Sequence, residues 1–228
     1  MGPHKRRGLV LKTFNPAILQ AYFICGSQDL PHSNLFQVVQ TALDAGITAY
    51  QFRDKGPNSR LSPPQKLAAA KRLRQMCAQA GVPFFIDDDV QLAQKVQADG
   101  VHIGQNDQNI HQVIQEVGSQ MLIGYSCSNM AEVQAANQIK GINYYGCGPV
   151  FTTSSKPDAS PVIGLSGLKK LVQAAQRPVV AIGGIQASDL PAIAQTKASG
   201  AAVISLLTQS NNRFTIIQQL LQAGWSTD

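Results

Sequence analysis

Short apolar runs alternate with longer segments of helical periodicity along nearly the whole chain. AYFIC (21–25), TAYQFR (48–53), PFFID (83–87), GVHI (100–103), MLIGYS (121–126), NYYGCG (143–148), PVVAIG (178–183) and AAVISL (201–206) have strand length and strand composition. Between them, segments such as 34–46 and 62–81 carry apolar residues at helical spacing. Pro63 and Pro64 suit a first helical turn and Gly81 a C-terminal cap; 187–200 and 213–224 also end on glycine. Eight strands alternating with eight helical segments predict an α/β fold, a single (β/α)8 barrel. The alternative is a doubly wound open sheet. No G-x-G-x-x-G follows the first strand, which counts against its dinucleotide-binding form.

In the second strand the alternation takes a polar turn. AYQFRDKG (49–56) places Gln51, Arg53 and Lys55 on one side and Tyr50 and Phe52 on the other. An edge strand facing water would account for this. In a barrel, the same residues climb towards the mouth, where barrel enzymes carry their sites, and can reach one anionic ligand there. The third strand runs into Asp87, Asp88 and Asp89, three carboxylates that repel unless a cation or basic group offsets them. Hard oxygen ligands beside phosphate suit Mg2+, with Asp107 after strand four as a second carboxylate. Capping of the helix near Val90 is the structural alternative. His102 reads as a core histidine rather than a general base, and Gln105 as a substrate donor or a loop cap. The irregular segment 149–163 carries Thr152, Thr153, Ser154, Ser155 and Lys156 and reads as a phosphate-binding lid or as a solvated linker. Strands seven and eight lead into loops of the kind whose backbone N–H groups hold phosphate in many barrels, and Gly183 and Gly184 permit close approach. Two anion sites call for two phosphorylated substrates or one bisphosphate.

Composition narrows the partners. Hydrophobic residues make up 44% of the 228, ample for one core. The formal net charge is +6, but without Lys5, Arg6, Arg7 and Lys12 the chain has 15 basic against 13 acidic residues. The basicity is therefore largely that of an arm, residues 1–12, ahead of a nearly neutral barrel domain at 13–228, and nucleic-acid binding is not expected. No apolar run approaches the roughly 20 residues of a membrane span, and no secretory signal is visible. Cys25, Cys77, Cys127 and Cys147 form no C-x-x-C pair, which disfavours zinc and disulfides and suits a cytoplasmic protein. Oligomeric state stays open, a homo-oligomer included.

The ordered set QFRDK, DGVHIGQND, GYS, GPVFTTSSK, AIGGI and AAVIS resembles the thiamine-phosphate synthase family, from about Tyr22 to Leu207. Each motif alone is weak; their order and spacing are specific. The resemblance implies a single (β/α)8 barrel that uses Mg2+ to join an aminopyrimidine-methyl diphosphate to a thiazole phosphate, releasing pyrophosphate by a dissociative mechanism. It also implies that Gln51, Arg53, Lys55, Ser126 and Lys156 meet the diphosphate, and that Asp88 and Asp107 hold Mg2+. Thr153 and Ser155 would meet the thiazole phosphate, with backbone at Gly184, Ile204 and Ser205. The chain departs from the family pattern in Asp87, where an asparagine is typical at this substrate-binding position, in Ser155 for threonine, and in Ser128 for a common histidine. Sister thiazole tautomerases use that histidine for proton transfer. A tautomerase-like isomerase and a non-catalytic binder of thiazole or thiamine phosphate are the competing readings. An extra Mg2+ ligand is the role expected of Asp87.

Overall fold

The computed structural model describes residues 14–56, 58–155 and 160–227; the basic arm and Lys156 lie outside them. Eight parallel strands close on themselves in chain order: β1 (Ala21–Cys25), β2 (Ala49–Phe52), β3 (Phe84–Asp87), β4 (Gly100–Ile103), β5 (Leu122–Cys127), β6 (Tyr144–Cys147), β7 (Val179–Ile182) and β8 (Gly200–Val203). Around them run α1 (Leu35–Asp44), α2 (Pro63–Ala80), α3 (Val90–Val96), α4 (Ile110–Val117), α5 (Met130–Asn137), α6 (Gly164–Ala174), α7 (Leu190–Gln195), α8 (Ser205–Thr208) and α9 (Arg213–Leu221). This is the (β/α)8 barrel that the alternation predicts. The open sheet is excluded by the pairing of β1 with β8 through Ala21–Ala201, Tyr22–Ala202 and Phe23–Val203.

Strand alternation sorts the side chains into two cores. Phe23, Tyr50, Phe52 and Phe84 point outward into the layer beneath the helices, whereas Tyr22, Phe85, Tyr144 and Val180 fill the lumen. Both layers are buried, as parallel strands covered on both faces require. Burial of a side chain such as Phe85 contributes roughly 1.5–3 kcal/mol. Leu19 and Ile18, from the 3-10 turn at Pro16–Leu19, and Phe14 pack against the lumen cluster.

Several expected boundaries move. The last strand stops at Val203, not at residue 206, and Ser205 begins the short α8, so the outer layer has one helix more than the eight expected. The segment 187–200 is not one helix capped by Gly200. A 3-10 turn at Ala187–Asp189 precedes α7, Pro191 sits in its first turn, and Lys197 leaves it with φ +70°. Gly200 instead opens β8, because a Cβ there would lie 1.7 Å from the Leu19 carbonyl oxygen. Helix α2 forms as expected: Ser62 and Gln65 make a capping box, and Gly81 closes the helix at φ +70°.

Candidate active site

The polar side of β2 faces the lumen. Gln51 is buried and donates from Nε2 to the Tyr22 hydroxyl at 2.9 Å. The strand ends at Phe52, so Arg53 and Lys55 lie just past it rather than on it. Arg53 is held nonetheless. Its N–H donates to the Cys25 carbonyl at 3.3 Å, and its own carbonyl accepts from Gln28 Nε2 at 2.6 Å. A Cβ on Gly26 would stand 1.9 Å from that carbonyl oxygen, so glycine is needed where the β1 loop passes Arg53. Asp54, between the two cations, is structural: its carboxylate accepts from the Ser27 N–H at 2.7 Å and from the Ser59 hydroxyl.

The three acids after β3 take different parts. Asp89 caps α3, accepting from the Leu92 N–H at 2.9 Å, as the capping alternative predicts. Asp87 Oδ2 lies 3.5 Å from Arg53 Nε and 3.1 Å from Lys55 Nζ, with only 13% of its side chain exposed. The aspartate at this position is thus a counter-ion beside two cations. Asp88 pairs with Lys55. Burial pushes the Asp88 carboxyl above its ordinary range, with Lys55 opposing and the charges of Asp87 and Asp107 adding to the rise. Burial alone would lower the Lys55 pKa, but the carboxylates of Asp87 and Asp88 outweigh it and raise it, keeping the ammonium charged. Asp107 closes the turn after β4, accepting from the Gly104 N–H at 2.7 Å, within electrostatic reach of Asp88.

A cavity opens at the C-terminal ends of the strands. Gln51, Arg53, Asp87 and Ser126 line one side. Thr153, Ser155, Gly184, Ile204 and Ser205 line another, so residues spread over 150 positions meet around one space. Thr153 Oγ1 accepts from the Ser155 N–H at 3.2 Å. Gly183 and Gly184 have φ of +100° and +65°, and a Cβ on Gly184 would stand 2.3 Å from the Thr152 carbonyl oxygen. The loop after β7 can approach residues 151–153 only because that atom is missing. Gly184→Ala is therefore expected to destabilise the fold by on the order of 1–3 kcal/mol, through a strained backbone and the clash with this loop. Thermal unfolding checks it; an unchanged melting temperature would overturn the requirement for glycine.

Tyr22 and Tyr144, which no motif singled out, belong to the site together with His102. Tyr22 and His102 line the cavity, and Tyr144 is buried beside them. His102 is more than core filling: Nδ1 lies 3.1 Å from the Tyr144 hydroxyl and Nε2 3.0 Å from Ser126 Oγ. Their lumen-facing strand positions were the available signal. Gln105, by contrast, only braces its loop, donating to the Ser126 carbonyl and accepting from Tyr125. Ser128 lines the cavity, and its N–H donates to Glu132 at 2.6 Å. Burial raises the pKa of all four cysteine thiols, Cys77 and Cys127 to about 12, which removes them as nucleophiles.

A closed parallel barrel with cations, carboxylates and hydroxyls gathered at the C-terminal ends of its strands has the layout of a barrel enzyme acting on an anionic substrate. The family model described as thiamine monophosphate synthase matches residues 21–207, and the chain belongs to that family, whose members are transferases. It is 57% identical over 210 residues to the thiamine-phosphate synthase of Lactiplantibacillus plantarum, covering 92% of this chain and 96% of that one. It is 56% identical over 201 residues to the thiamine-phosphate synthase of Levilactobacillus brevis, covering 88% and 92%. Among solved structures, thiamine phosphate pyrophosphorylase from Pyrococcus furiosus superposes with a TM-score of 0.79 at 32% identity, covering 92% of this chain and 96% of that one.

Proposed function

We propose that this chain joins 4-amino-2-methyl-5-pyrimidinylmethyl diphosphate to 4-methyl-5-(2-phosphooxyethyl)thiazole, giving thiamine phosphate and pyrophosphate. The observation that carries this reading is one cavity lined by Arg53 with its counter-ion Asp87 and by Thr153, Ser155 and Gly184, with Lys55 just beyond it, paired with Asp87 and Asp88. The first group suits a diphosphate, the second a monophosphate. In this reading Gln51, Arg53, Lys55 and Ser126 bind the diphosphate, with Lys156 assigned by motif. Thr153, Ser155 and backbone at Gly184, Ile204 and Ser205 bind the thiazole phosphate.

The chemistry asks little covalent work of the side chains. Fixed cations stabilise the charge that builds on the departing pyrophosphate, and the walls hold the thiazole nitrogen against the pyrimidine-methyl carbon as that bond breaks. The packed lumen cluster behind the cavity leaves little room for water to compete for the cation.

The donors suit a divalent ion. Asp88 and Asp107 offer hard carboxylate oxygens, and the negative charges of Asp87 and Asp107 beside Asp88 favour a cation there. Among the described residues no group of three or more acids, histidines or cysteines forms a metal site. Water and phosphate oxygens would complete the shell, as Mg2+ prefers. When bound, Mg2+ would neutralise charge on the diphosphate. No helix of the described residues is long and apolar enough to cross a membrane, and the four free buried thiols support a cytoplasmic location.

The test mixes both phosphorylated precursors with Mg2+ and follows thiamine phosphate by mass and pyrophosphate by release. Both products are expected. Isomerised thiazole phosphate without pyrophosphate would point to the tautomerase-like activity, and binding without turnover to a non-catalytic sensor.

A further inference from the structure

Five polar side chains from five different strands join hands across the lumen. Gln51 Nε2 lies 2.9 Å from the Tyr22 hydroxyl, which lies 2.9 Å from the Tyr144 hydroxyl. The Tyr144 hydroxyl lies 3.1 Å from His102 Nδ1, and His102 Nε2 lies 3.0 Å from Ser126 Oγ. We propose that these hydrogen bonds run in one direction, from Gln51 to Ser126. They hold the His102 ring proton on Nε2 and turn the Ser126 hydroxyl proton into the cavity as a donor.

Donor counting leaves two orders. An amide nitrogen only donates, so Tyr22 receives from Gln51, and its hydroxyl can either pass its proton to Tyr144 or accept a second bond from Tyr144. In the first order Tyr144 passes its own proton to His102 Nδ1, which leaves the ring proton on Nε2 facing Ser126. Ser126 Oγ accepts it and keeps its own proton for the cavity. Burial raises the pKa of both phenols, so each retains the proton the chain needs. In the second order Tyr22 accepts from both neighbours, His102 Nδ1 donates to Tyr144 and Ser126 donates to His102 Nε2. Only the serine's lone pairs would then face the cavity, on the side where Arg53 gathers anionic oxygen. Two negative surfaces would meet there.

The seat of the chain is built, not incidental. A Cβ on Gly124 would fall 2.2 Å from the Tyr144 ring and 2.4 Å from His102 Nδ1, and one on Gly146 would fall 3.0 Å from His102 Cε1. Phe14 stacks on Tyr144 at 5.9 Å and 9°, and Phe85 meets it edge-on at 5.9 Å and 89°. The rings have space in one arrangement and are pinned there. Tyr22, Tyr144 and His102 are accordingly positioning residues. The choice between the two orders, and that Ser126 donates to the diphosphate, rest on the proposed function; the spectrum reads the ring tautomer without it.

Two measurements test this. The first is a two-bond 1H–15N correlation spectrum of the 15N-histidine-labelled full chain without ligand. His4, His32 and His111 are replaced by asparagine so that one histidine remains of the four. The expected pattern is a pyridine-like Nδ1 and a pyrrole-like Nε2. The opposite pattern, or two protonated nitrogens, overturns the proposal. The second is a double-mutant cycle with the pyrimidine diphosphate as varied substrate. Tyr144→Phe and Ser126→Ala should each lower kcat/KM about tenfold, and the double variant should be no worse than Ser126→Ala alone. Independent, multiplying losses would mean that Tyr144 supports only packing, and would overturn it. The spectrum decides even if Tyr144→Phe does not fold. A wild-type chain with the expected spectrum and no thiamine phosphate formation would refute the reaction while leaving the tautomer standing.

Discussion

Replacing either Asp88 or Asp107 with asparagine is expected to cut Mg2+-dependent turnover by at least ~10²-fold, because each exchange removes a hard anionic ligand and leaves the departing pyrophosphate less neutralised. Asparagine makes the cleaner test at both positions. Asp88 has φ +51°, a conformation that asparagine tolerates well, so the backbone should be unaffected. At Asp107, the amide oxygen of asparagine can still accept from the Gly104 N–H and keep the turn closed. Circular dichroism and melting temperature should therefore match the wild type while the Mg2+ concentration for half-maximal rate rises. Near-full activity of Asp107→Asn in limiting Mg2+ would remove Asp107 from the metal site.

The second large effect is expected at Arg53. Arg53→Ala should lower turnover by about 10²–10³-fold, the usual cost of losing one preorganised charge-stabilising group. It should also destabilise the fold by on the order of 2 kcal/mol, since Asp87 keeps its burial and loses one of two cationic neighbours. These two losses have different causes and can be separated. Adding Asp87→Asn to Arg53→Ala removes the uncompensated charge and should recover most of the melting temperature, but none of the turnover. Recovery of turnover in the double variant would show that Arg53 serves only to neutralise Asp87. Asp87→Asn alone, which restores the residue typical of the family, should loosen Arg53 and Lys55 and raise the KM for the diphosphate.

What the sequence determined by itself is local and periodic. AYFIC became β1 with the residues expected, and Gly81 ends α2 as expected, because strand and helix reveal themselves through repeats of two and about 3.6 residues and through caps. The same alternation put Gln51 on the lumen side and Tyr50 and Phe52 on the other. Motif order carried the family and, with it, a set of residues of which Gln51, Arg53, Asp87, Ser126, Thr153, Ser155, Gly184, Ile204 and Ser205 line one cavity, whereas Lys55, Asp88 and Asp107 lie outside its lining. Only the tertiary structure decided how those residues hold one another. The need for glycine at the start of β8 comes from Gly200 meeting the Leu19 carbonyl, a contact between segments some 180 residues apart that no local pattern encodes. The adjacent Asp87, Asp88 and Asp89 look equivalent in sequence, yet one steadies Arg53 and Lys55, one pairs with Lys55 beside Asp107, and one caps a helix. Their division of labour is set by the backbone turn after β3 and by cations delivered from β2. His102 reads as core filling until closure of the barrel brings Tyr22 to Tyr144 across 122 residues and Tyr144 to the imidazole. Hydrogen-bond direction and charge pairing depend on distances of about 3 Å between distant segments, and only the closed barrel sets those distances.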